Sequence, residues 1–150
     1  MERHAVAFGE LSRLAVLASR LRDPNPGRDG VTQLEHALQC GTRAEHAFAD
    51  AELVAVAFAH DLAKPLSEIR HGEIIAEILR EYVSDERYQV LRTHGEFQAD
   101  RVGAAARYLD EPWCTDAMRL HAWDSASFQP GAETLPLDHF LVRLSSLMHH

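Results

Sequence analysis

The sequence predicts an all-α helical bundle. Apolar residues recur at three- and four-residue steps over most of the chain, and side chains suited to helix capping stand where those segments begin. No stretch alternates apolar and polar residues in the manner of a half-buried strand. A length of 150 residues suits one domain around one core, and 46% hydrophobic with 25% charged residues is the balance of a folded globular chain.

Phe8, Leu11, Leu14, Ala15 and Ala18 share one face, which predicts a first helix over about 4–21. The run Asp23-Pro24-Asn25-Pro26-Gly27-Arg28-Asp29-Gly30 breaks it and reads as a loop. Thr32 stands as an N-cap with Glu35 as its capping-box partner, opening a helix to about Phe48 that buries Leu34, Leu38 and Ala44. Asp50 caps the next helix, to about Leu62. Its run Leu53-Val54-Ala55-Val56-Ala57-Phe58-Ala59 is apolar on every face and predicts a central, enclosed helix ended by Pro65. Residues 70–82 are amphipathic, and Ser84 caps a short helix to about His94. Further helices are expected near 98–109, 113–124 and 136–148, with Gln129-Pro130-Gly131 as a turn before the last.

A net charge of −8 argues against a nucleic-acid-binding surface, which needs a positive face. No apolar run approaches the roughly 18–20 residues that cross a bilayer. Met1-Glu2-Arg3-His4 lacks the features of a secretory leader, so a cytoplasmic location is expected. Cys40 and Cys114 lack CxxC spacing and read as buried reduced thiols. Ten histidines are the compositional anomaly; His149 and His150, at the chain end, are set aside.

His60-Asp61 lies at the end of the most apolar helix, an expensive place for a carboxylate. A buried unpaired charge costs several kcal/mol or forces the group neutral. A cation resolves this, because Asp61 stays ionised while His60 supplies an imidazole. The dipeptide alone reads equally as a helix-end pair making hydrogen bonds. His36 adjoins the buried Leu34/Leu38 stripe, His71 begins one helix, His94 ends another, and Asp124 closes the 113–124 segment. Each has a bland reading as a core histidine or cap; together they supply imidazoles and carboxylates from facing helices, which is how bundles build metal sites. His46 falls about 80° off the His36 face and reads as surface. His121, three residues before Asp124, is a candidate support for it. His139 reads as packing or capping, and Trp113 and Trp123 as core.

His36…His60-Asp61…Asp124 resembles the H…HD…D signature of the HD superfamily, whose members carry a helical metal-binding core. His71 and His94 resemble the additional histidines of its binuclear members. Val31–Gln39 and the segments Trp123–Pro130 and Thr134–Phe140 resemble the HD-domain mixed-valent diiron oxygenases, the branch that includes phosphonate-cleaving oxygenases and myo-inositol oxygenase. The resemblance spans about residues 29–145 of a single domain, and implies an HD-domain bundle with a buried binuclear site. It further implies that His36, His60, Asp61 and Asp124 bind one iron, and Asp61, as a bridge, with His71 and His94 the other. Two carboxylates against +4 or +5 from two irons would leave the centre positive in an acidic protein, able to attract a chelating anion.

Lys64 stands one helical turn beyond Asp61. A lysine at this place holds substrate oxygen in the inositol-cleaving relatives, but HDxxK also occurs in HD phosphohydrolases. Asp29, Gln33, Lys64 and Gln98 are the candidate substrate-binding side chains, with Lys64 the candidate catalytic one. Two departures bear on substrate. Pro26 and Asp29 stand where the phosphonate oxygenases carry tyrosine and glutamate, and Gln98 replaces their phosphonate-contacting lysine. Three functions follow: a diiron oxygenase acting with dioxygen on a small hydroxylated, anionic substrate; a phosphohydrolase using Mn, Ni or Mg on a phosphomonoester or nucleotide; and a non-catalytic metal-binding protein.

Overall fold

The computed structural model describes residues 2–22 and 28–149, with side chains from Gly9 onward. Pro26, most of the predicted loop and His150 lie outside the described residues. Among the described residues the protein is all-α: α1 (Glu2–Arg20), α2 (Gln33–His46), α3 (Ala51–Ala59), α4 (His71–Leu79), α5 (Asp85–Ala99), α6 (Arg101–Arg107), α7 (Cys114–Ala126) and α8 (Leu137–Met148). No described helix is long and apolar enough to cross a membrane.

The caps form as their residue types predict. Thr32 Oγ1 accepts from Glu35 N–H at 3.1 Å, and Asp50 Oδ1 from Leu53 N–H at 2.9 Å. Ser84 Oγ accepts from Arg87 N–H at 3.3 Å. Each satisfies one of the amide donors a helix start leaves orphaned. The Arg87 guanidinium also reaches both oxygens of Asp50, at 2.8 and 2.9 Å, tying the starts of α3 and α5 together.

α3 is the axis of the molecule. Every residue from Leu53 to Ala59 is buried, and the helix packs against α2, α5, α7 and α8. Phe58 stacks on Phe140 of α8 with centroids 5.0 Å apart. Gly41 of α2 admits that pair: a Cβ there would lie 2.5 Å from the Phe140 ring.

Three boundaries differ from expectation. α3 stops at Ala59 rather than near Leu62, because the chain tightens into turns in which Leu62 N–H donates to Ala59 O and Lys64 N–H to Asp61 O. Pro65, lacking an N–H, cannot restore the helical ladder. The helix expected to end near His94 runs through Gly95 to Ala99, and α6 begins only after Asp100 caps it by accepting from Gly103 N–H at 3.0 Å. The amphipathic 70–82 segment is helical only over His71–Leu79.

Candidate metal centre

Five elements of structure deliver the six candidate ligands. His36 projects from α2, His60 and Asp61 from the tight turns after α3, His71 from the first position of α4, His94 from α5 and Asp124 from α7. All six are buried, His36 and His60 completely. Asp61 stands at the centre with its two oxygens facing different partners. Oδ2 lies 3.1 Å from Nε2 of both His36 and His60, while Oδ1 lies 2.9 Å from His71 Nε2 and 3.2 Å from His94 Nε2. Asp124 Oδ1 closes the first group, 2.9 Å from His36 Nε2 and 3.4 Å from His60 Nε2.

The four imidazoles are oriented alike. Nδ1–H of His36 donates to Ser127 O at 2.9 Å, that of His60 to Ala57 O at 2.7 Å, that of His71 to Glu68 O at 2.8 Å and that of His94 to Leu91 O at 2.8 Å. A carbonyl can only accept, so the proton of each neutral ring sits on Nδ1 and the Nε2 lone pair points inward. Backbone anchoring of this kind fixes the tautomer and raises the basicity of a metal-binding histidine.

Six inward acceptor side chains, four imidazoles and two carboxylates, with so few donors need cations. Nε2 of His71 and Nε2 of His94 face each other at 3.1 Å, a separation two lone pairs do not tolerate without a proton or a metal between them. Nε2 of His60 and Oδ1 of Asp124 are buried without an aligned hydrogen bond. Protons can serve in part. Burial disfavours a charged His36, yet the Cys40 sulfur and the adjacent carboxylates of Asp124 and Asp61 push its pKa up to about 11. Burial likewise opposes ionisation of Asp61, but the charge of His60 and the close imidazoles of His36, His60 and His71 hold its carboxyl well below the usual range. Two clusters, His36/Cys40/His60/Asp124 and His60/Asp61/His94, have ligand atoms within 4.8 Å of one another. The donor set, the burial and the orphaned atoms all fit a metal ion.

The other expected residues divide. Lys64 reaches the centre, with Nζ 3.6 Å from Asp61 Oδ2, and donates to Gln33 Oε1 at 3.3 Å. Gln98 does not touch the cluster; it lines a cleft of about 470 Å³ whose wall includes His71, Gly72 and Arg92. Asp29 is exposed in a left-handed conformation (φ 56°) and pairs with Arg28 at 3.6 Å rather than with a candidate ligand. His121 lies 3.4 Å from Ser125 Oγ, with its Nδ1 buried and unpartnered. His46 is exposed as expected, and His139 donates to Glu45 at 2.8 Å.

Several contributors escaped sequence reasoning. Phe128 stacks on the His36 ring at 4.0 Å, and the Arg28 guanidinium covers Phe128 at 3.9 Å. Gln39 ties α2 to the irregular segment after α7: its Nε2 donates to Gln129 O at 2.9 Å and its Oε1 accepts from Gln129 N–H at 3.1 Å. The Cys40 sulfur lies 3.8 Å from His36 Nε2. Its spacing of four from His36 was the available signal; the rest act through backbone groups or ring faces that no spacing marks.

Fold and site together define an all-α bundle with a buried histidine–aspartate centre able to hold metal. No family model matches the chain, and a search of curated proteins finds no match either.

Proposed function

We propose that the chain is an HD-type diiron protein that oxidises or cleaves a small hydroxylated, anionic substrate with dioxygen. The observation that supports two ions is the division of Asp61, one oxygen toward His36 and His60 and the other toward His71 and His94. In this reading His36, His60, Asp61 and Asp124 hold one iron, and Asp61, His71 and His94 the second. Bound iron supplies Lewis-acid polarisation of substrate oxygen and the redox capacity that dioxygen chemistry requires.

The chain's own residues then do the positioning. The backbone carbonyls of Ala57, Leu91, Glu68 and Ser127 hold the imidazoles in register. Lys64, only 12% exposed, presents an ammonium beside Asp61 and pairs with a substrate oxyanion. Its bond to Gln33 fixes where that charge sits. The cleft outside His71 is of a size that admits a small molecule, and Gln98 and Arg92, which line it, would contact the distal part of that molecule.

Metal analysis with electron paramagnetic resonance, on protein purified from iron-supplemented cells, tests this reading. About two irons per chain and a mixed-valent signal are expected. A metal-dependent phosphohydrolase is the second reading, favoured by Lys64 beside the central aspartate, where it would hold phosphate equally well. A single Mn, Ni or Mg ion with turnover of a phosphomonoester or nucleotide would overturn the oxygenase in its favour.

A further inference from the structure

We propose that Cys40 is a thiolate ligand of the ion held by His36, His60, Asp61 and Asp124, making this a mixed nitrogen, oxygen and sulfur subsite suited to iron, cobalt or zinc rather than magnesium. The inference rests on the metal centre proposed above and deepens it. Cys40 follows His36 by four residues on α2, so both side chains leave the same helix face one turn apart. Its sulfur is fully buried, 3.8 Å from His36 Nε2, and within 4.8 Å of the ligand atoms of His60 and Asp124. For ordinary zinc distances to sulfur and nitrogen, two donors that subtend about 110° at one ion lie about 3.6 Å apart, close to what is seen.

Two further observations point the same way. Nε2 of His60 and Oδ1 of Asp124 are both buried and lack aligned hydrogen bonds, so they converge on the same unsatisfied space as the sulfur. The alternative role for the thiol, donation to Trp123 O, is weak. That contact is 3.8 Å, and the same carbonyl already accepts from Ser127 Oγ at 2.6 Å. Cys114, also buried, belongs to neither ligand cluster and serves as the internal control. A thiolate adds a third negative charge beside the two carboxylates and is a soft donor, which favours iron, cobalt and zinc over oxygen-seeking magnesium.

Cobalt(II) titration of metal-free protein tests the proposal, read by near-ultraviolet thiolate-to-cobalt charge-transfer absorption and by X-ray absorption at the cobalt edge. Wild type and Cys114→Ser should show the band and a sulfur neighbour at about 2.3 Å. Cys40→Ser should bind cobalt through the remaining ligands and lose both. If Cys40→Ser does not fold, the Cys114→Ser protein decides the matter, because Cys40 is then the only thiol. Cobalt bound without the band or the sulfur neighbour would overturn the thiolate and leave the metal centre standing. Loss of the band in Cys114→Ser would overturn it too. A wild-type protein that binds no cobalt would overturn the metal centre and Cys40's part in it together.

Discussion

Asp61 concentrates the chemistry of this protein in one side chain. Replacing it with alanine should weaken binding of both ions, because it is the one ligand facing both groups of histidines. His71→Ala should weaken only the second ion. Metal-to-protein ratios after gel filtration check both: full metal in Asp61→Ala would refute the bridge, and loss of both ions in His71→Ala would refute the division. Asp50 carries a different kind of residue-level prediction. Hydrogen bonds from Arg87 outweigh partial burial and lower its carboxyl to about 2. A depressed carboxyl stabilises the fold above its unfolded pKa, near 3.9, and that contribution is lost as pH falls through about 2. Asp50→Asn keeps the N-cap and removes the charge. With the Asp50 side chain 58% exposed, the loss should be at most about 1 kcal/mol at pH 7. Urea denaturation should show the variant and wild type converging toward pH 2.

At the scale of elements, the centre depends on helices held close. Gly41 lets α2 pass over the Phe58/Phe140 stack, and Gly41→Ala would drive a methyl into the Phe140 ring. Overpacking of this sort should cost roughly 1–3 kcal/mol. A fall in the thermal midpoint with unchanged helical circular dichroism at low temperature is the expected result, and an unshifted midpoint would mean α8 yields without cost. Gly72 plays a similar part for α4 and α5, since a Cβ there would lie 3.1 Å from the His94 ring. The ends of α3 and α5 differ from what their residue patterns suggest. The helix expected to end near His94 continues through Gly95 to Ala99 because Phe97 is buried beside His94 and Leu91, and packing outweighs a glycine's modest penalty.

Taken whole, the molecule buries an electrostatic problem at its core. Six converging acceptors oppose one another in the absence of cations, and the apolar shell of α3 keeps water from screening them. Metal binding should therefore stabilise the whole fold and not only the site. At a free metal concentration of 100 Kd the gain is about 2.7 kcal/mol. Differential scanning calorimetry should show a metal-dependent rise in wild type that is smaller in Asp61→Ala. A wild-type midpoint indifferent to metal would argue that protons alone satisfy the cluster.

The opening expectation of an all-α bundle with a buried histidine–aspartate centre was legible because both rest on local rules. Period and caps select helices, and a carboxylate at the end of an all-apolar helix announces a compensated charge. His36, His71, His94, Asp124 and the His60-Asp61 pair could be named from their places on or at the ends of different predicted helices. Only the tertiary structure decided that Asp61 faces two ways, that Cys40 joins the His36 side, and that Asp29 stays outside. The sequence carries no record of where Ser127 O or the Phe128 ring will lie against His36, because those contacts join residues some 90 positions apart through backbone and ring faces. Which atoms meet across that distance is settled by helix packing, and the chemistry of the centre follows from it.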